Sequence, residues 1–121
     1  MATAQMFGTE HITQAADEYR ARLTLVKARI DAYHCDCQRS YALDTYDSAL
    51  RCLGNVASWL SGEFDRTYAG PHPSFGETIE DFRAHYADSA LRDARRHVAW
   101  ATYYAGLCTK DEAIAADPWW H

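Results

Sequence analysis

A chain of 121 residues that is 48% hydrophobic and 13% aromatic can bury one packed core and is too short for two. That composition excludes an intrinsically disordered chain, and three prolines with six glycines are few for an all-β protein of this size. The net charge of −5 disfavours nonspecific nucleic-acid binding, although a local basic patch remains compatible with it.

No apolar run approaches the roughly 20 residues of a membrane span, so no membrane partner is expected. Met1 to Gly8 has neither the positive start nor the apolar centre of a secretory signal, and the expected location is the cytoplasm. There the cysteines should stay thiols. Cys35 and Cys37, two apart on a helix, point in different directions and do not suit a disulfide.

Residues 1–8 read as a frayed lead-in to a single domain covering 1–121. Thr9 can cap a helix whose first residue, Glu10, suits the positive end of the dipole. Ile12, Ala16, Tyr19, Leu23, Val26, Ile30, Tyr33 and Cys37 then recur at steps of four and three, which predicts a long helix packed at a shallow left-handed crossing. Lys27 and Asp31, opposite charges four apart, sit on its wet side. Arg39 and Ser40 are where the chain is expected to turn, because a second seam opens at Leu43.

That seam is Leu43, Tyr46, Leu50, Leu53, Ala57, Leu60 and Phe64. Beside it run Ala49, Cys52, Val56 and Trp59, and a third line, Gly54, Ser58 and Gly62, is small enough to admit another backbone. A helix with three such lines can bury most of its circumference, and this one is expected to be the centre of the molecule. One of its stripes is also the candidate contact for a homodimer through Leu43 to Phe64. Gly70-Pro71 supplies a stop. The first two helices should each run about 27 to 29 residues, roughly 40 Å, and lie antiparallel across their short link.

Ser74-Phe75-Gly76-Glu77 has the form of a capping box, and Phe75, Ile79, Phe82 and Tyr86 carry the next seam. Continuing that seam would bury Ser89 and Asp93. The pattern resumes shifted at Ala90, Ala94, Val98, Ala101 and Ala105, so a kink or break is expected near Asp88. Gly106-Leu107 suits a helix end, and Thr109-Lys110-Asp111-Glu112 is a second capping box opening a short helix to Ala116 ahead of Pro118. The predicted fold is all-α: an elongated up-down bundle of three long helices, the third kinked or broken near residue 88, plus a short C-terminal helix and a tryptophan-rich tail over 117–121.

Few residues invite chemistry. His34-Cys35-Asp36-Cys37 is dense in ligand types, but a Cys-x-Cys spacing on a helix end fans its thiols apart, where zinc needs four convergent groups. A di-iron bundle needs Glu-x-x-His on two helices, and the chain has none. Glu77, Asp81 and His85, at steps of four, read as a solvated polar stripe. Neither metal nor cofactor is expected. Arg92, Arg95 and Arg96 form a positive cluster in an acidic chain, suited to a phosphate or an acidic partner surface. Pro118-Trp119-Trp120-His121 places two tryptophans where exposure is costly, so they should cover the bundle or anchor a partner.

Arg92-Asp93-Ala94-Arg95-Arg96-His97 resembles the Arg-x4-His signature of HEPN-type helical ribonucleases. Those are compact helical bundles, commonly dimeric, that cleave RNA without metal. The resemblance implies Arg92 as the phosphate-stabilising cation and His97 as the residue acting on the 2′-hydroxyl or leaving group. It spans six residues, and Arg29 to His34 repeats the spacing.

No nucleophile elbow, phosphate-cradling glycine loop or dinucleotide fingerprint occurs. The expected class is therefore a small non-enzymatic protein that binds another macromolecule, as an inhibitor, adaptor or regulator, with Arg92, Arg95, Arg96, Trp119 and Trp120 as candidate contacts. Size and acidity would suit a phage or mobile-element inhibitor. The rival expectation is the RNA-cleaving enzyme using Arg92 and His97, with RNA as partner only in that case.

Overall fold

Four α-helices and two single 3-10 turns make up residues 9–33 and 36–120, the part of the chain described by this computed structural model (the side chains of Gln38 and Trp120 excepted). Helix α1 runs Glu10–Asp31, α2 Asp36–Ser61, α3 Ile79–Tyr104 and α4 Lys110–Ala116. No strand occurs among the described residues, so the chain folds as an all-α bundle of three long helices and a short C-terminal one. Side-chain contacts set the directions. Tyr41 stacks on Tyr104 while Trp59 packs on Phe82 and Tyr86, so α2 runs antiparallel to α3. The Tyr33 hydroxyl donates to the Tyr104 carbonyl, and α1 is therefore parallel to α3.

The centre of the bundle is α3 rather than α2, since α3 packs on α1, on α2 and on α4. A heptad seam explains this: Ala84, Ala87, Leu91, Ala94, Val98, Ala101 and Ala105 are all buried at unbroken steps of three and four. The break expected at Asp88–Ser89 is absent. The buried line runs through Ala84, Ala87 and Leu91 rather than through Tyr86, which is 37% exposed, so its phase is continuous with Ala94, Val98, Ala101 and Ala105.

Helix α2 is rotated from its expected setting. Ala42, Ala49, Leu53 and Val56 are buried, with Tyr46 and Leu60 packed against them, whereas Leu50 is 38% exposed and Ala57 faces outward. Small Ala42 and Ala49 meet the alanine-rich seam of α3, and that interface is the most extensive in the molecule. Gly54 has nothing within 4 Å of its would-be Cβ among the described residues, so no neighbouring backbone approaches the helix there.

Several ends are moved by capping. Helix α1 stops at Asp31, not beyond Cys37, and the Arg39 guanidinium donates to the Asp31 carbonyl at 3.2 Å. Arg39 and Ser40, where the turn was expected, lie within α2, and Cys37 is exposed on it. Helix α2 ends nine residues before Gly70: Gly62, at φ +86°, forms a Schellman motif in which Glu63 N–H donates to the Ser58 carbonyl and Gly62 N–H to that of Trp59. Helix α3 opens at the Thr78–Asp81 capping box, with Asp81 N–H donating to Thr78 Oγ1 at 3.0 Å. The Ser74–Glu77 box does not form, because Gly76 at φ +117° cannot continue a helix. The Gly106 stop and the Thr109–Glu112 box form as predicted.

The connection over 62–78 is pinned by two devices. Arg83 grips the Asp65 carboxylate through both Nε (3.0 Å) and Nη2, and the guanidinium holds that carboxyl below its usual range. Around it Trp59, Phe64, Tyr68, Phe75, Phe82 and Tyr86 form a continuous aromatic cluster, with ring centroids 4.6–6.4 Å apart.

Candidate functional site

At the C-terminal corner the structure joins two of the features read separately from the sequence. Helix α4 closes at Asp117, which is 1% exposed. Its Oδ2 accepts the Trp100 indole N–H at 2.7 Å, its Oδ1 accepts the Trp119 backbone N–H at 2.8 Å, and Arg96 Nε stands 3.8 Å from Oδ2. A buried carboxylate needs such partners, and here they lock the tail onto α3. The Arg96 guanidinium in turn lies over the Trp119 ring, 5.9 Å from its centroid, within cation–π range. Trp119 is nevertheless 65% exposed. Its backbone is anchored while its ring faces outward. The side chain of Trp120 lies outside the described residues.

The rest of the arginine cluster disperses. Arg92 is exposed. Arg95 turns toward the opposite side, into a 360 Å³ depression between α1, α3 and α4 that also receives Tyr19, Arg22, Cys108 and Glu112. Burial pushes the Tyr19 hydroxyl and the Cys108 thiol above their usual ranges, so neither is activated as a nucleophile there.

Arg92 and His97 both lie on α3. Five positions along a helix place them roughly 140° apart, and no hydrogen bond connects them among the described residues. His97 is half-buried on the side of α3 facing Arg51. Burial lowers its pKa below 6.5, Arg96 and Arg51 lower it further, and Asp93 opposes them.

A larger cleft, about 770 Å³, opens at the other end of the bundle between the first turn of α1, the 73–77 turn and the start of α3. The Glu77–Asp81–His85 stripe lies along this cleft: Glu77 and His85 are exposed, as expected of a solvated stripe, and only Asp81 is buried beneath the 73–77 turn. Asp81 is 1% exposed. Its Oδ2 accepts the N–H groups of Glu77 and Thr78, each at 3.2 Å, while Oδ1 is buried with no hydrogen-bond donor. The signal for this site was the Thr78-x-x-Asp81 box together with the density of aromatics from Trp59 to Tyr86. Asp117 had no comparable signal.

No group of three His, Cys, Asp or Glu among the described residues converges as a metal site, and His34 and Cys35 lie outside them. No helix among the described residues is long and apolar enough to cross a membrane. Comparison with protein-family models, with curated proteins and with solved structures returned no match to this chain.

Proposed function

We propose that this is a small non-enzymatic helical protein that acts by binding another protein, as an inhibitor, adaptor or regulator, through the corner formed by Arg96 and Trp119. The observation that carries this reading is the state of Trp119: a large aromatic ring, mostly exposed, whose backbone is fixed by a buried carboxylate and whose face is covered by a guanidinium. Tryptophan and arginine dominate interaction hot spots, and a side chain held in place beforehand loses less entropy on binding. Self-association through α2 would use its outward Leu50, Gly54 and Ala57. The Arg92–His97 ribonuclease reading has no observation in its favour within one chain.

The test is capture from native lysate with tagged wild type, Trp119→Ala and Arg96→Ala, read by mass spectrometry, with melting curves confirming that both variants fold. A protein held by wild type should fall at least tenfold with each substitution, about 1.4 kcal/mol or more. Identical capture by all three proteins, or RNA cleavage by wild type that His97→Ala abolishes, would overturn the reading.

A further inference from the structure

We infer that the depression between α1, α3 and α4 binds a monocarboxylate carried on a compact apolar body. Its volume, about 360 Å³, lies at the small end of the range of ligand sites. Val98, Ala99, Ala113 and Ala116 give it apolar surface drawn from α3 and α4. Arg22 of α1 and Arg95 of α3 stand in its wall, so two arginines reach one small space from separate helices.

Neither arginine is in an ion pair or a hydrogen bond among the described residues. Glu18 stands four positions before Arg22, the spacing and order that favour a pair, yet its Oε1 accepts from Gln14 Nε2 at 3.5 Å instead. Arg95 has Leu91, Arg92, Val98 and Ala99 at its helical neighbour positions, none of them an acid. The charged heads, and not only the stems, belong to the depression. Burial raises the Tyr19 hydroxyl and the Cys108 thiol; against that rise Arg95 pulls the first down and Arg22 the second, which places each guanidinium near a group of the wall. The Tyr19 hydroxyl, on a half-buried side chain, has no hydrogen-bond partner among the described residues and adds a further donor.

The planar fork of a guanidinium matches a carboxylate through two parallel N–H···O bonds. Glu18 and Glu112 also stand in the wall, and Glu112 Oε1 is already taken by the Thr109 N–H at 2.9 Å. These two carboxylates repel a second negative charge, so the site suits a monoanion better than a phosphate dianion. None of the lining residues belongs to the Arg96–Trp119 corner, so either reading can fail without the other.

Titration of the full chain with phenylacetate, followed by NMR of the Tyr19 ring and the Val98 methyls, tests the assignment, with phenylacetamide as the neutral isostere and inorganic phosphate as the more highly charged anion. Phenylacetate should bind saturably, and both controls at least tenfold more weakly. Arg22→Gln and Arg95→Gln, which alter exposed side chains, should each weaken phenylacetate binding at least fivefold at unchanged melting temperature. A short peptide ending in phenylalanine with a free carboxylate, if it binds tighter than phenylacetate, identifies a polypeptide C-terminus as the source of the group. Equal or weaker peptide binding identifies a free acid, and either result upholds the chemistry. Absence of saturable phenylacetate binding, equal binding of phenylacetamide or phosphate, or an unaltered affinity in either arginine variant overturns it.

Discussion

Truncating Leu53 and Leu50 to alanine, one at a time, reads the rotational setting of α2 on α3. Leu53 is fully buried, and Arg20 Nη2 donates to its carbonyl at 3.3 Å across the α1–α2 contact. Leucine to alanine deletes about three methylene equivalents at ~0.8 kcal/mol each, and the cavity left between packed helices adds ~1–2 kcal/mol. The loss at Leu53 should therefore be about 3–4 kcal/mol. Leu50 keeps 38% of its surface in water and leaves no enclosed void, so its loss should stay under about 1 kcal/mol. For 121 residues the unfolding entropy is roughly 0.25 kcal/mol/K, which converts these values to drops of about 12–16 °C and under 4 °C. Thermal melts by circular dichroism, with urea titrations for the free energies, provide the assay. Equal losses, or a larger loss at Leu50, would mean that α2 packs on its Leu43–Leu50–Ala57 line and that the described seam is wrong.

The small-residue line of α2 separates into opposite effects. Gly54→Ala, at an exposed helix-interior position with open space for a Cβ, should stabilise by about 0.5–1 kcal/mol. Gly62→Ala must hold φ near +86° and brings its Cβ to 2.8 Å from Asp65 Oδ2 and 3.1 Å from Arg83 Nη2, so it should destabilise by about 1–2 kcal/mol. Urea denaturation giving the same sign for both would refute these roles. His97 makes a pH prediction: its folded pKa lies below the 6.5 of the unfolded chain, so as pH falls through 6.5 the unfolded state takes up the proton first and stability declines, levelling off below the folded value. His97→Gln should flatten that decline, and an NMR titration midpoint at or above 6.5 would contradict the burial.

Where a residue type dictates local geometry, the one-dimensional reading was accurate. The Thr109–Glu112 box and the Gly106 stop depend on neighbours within one turn, and both form as expected. Ile12, Ala16, Leu23, Val26 and Ile30 are buried as their spacing requires. Extending the α3 seam through Phe82 and Tyr86 led to error, because Ala84 and Ala87 take the buried positions and Tyr86 is left partly exposed. That is why α3 looked interrupted at Asp88; in α2, likewise, Ala42 and Ala49 take the buried positions and Leu50 does not. Capping boxes compete in the same way: Ser74–Glu77 and Thr78–Asp81 both have the right letters, and the positive φ of Gly76 selects between them.

For the candidate sites, Arg96 and Trp119 could each be named in advance, but their meeting could not. It depends on Asp117 closing the short helix α4 against Trp100 of α3, a contact across 17 positions of chain. The cleft depends likewise on the 73–77 turn folding over α3, with the aromatic cluster bringing residues from both sides of the turn together.

By itself the sequence determined helix content, the number of long helices and most of the buried face of α1, because periodicity and capping act over one or two turns. The rotation of α2, the choice of α3 as the centre and the pairing of charged groups into sites were decided by tertiary structure. Those follow from how closely two backbones can approach and which polar groups are buried together, and both are properties of pairs of segments rather than of either alone.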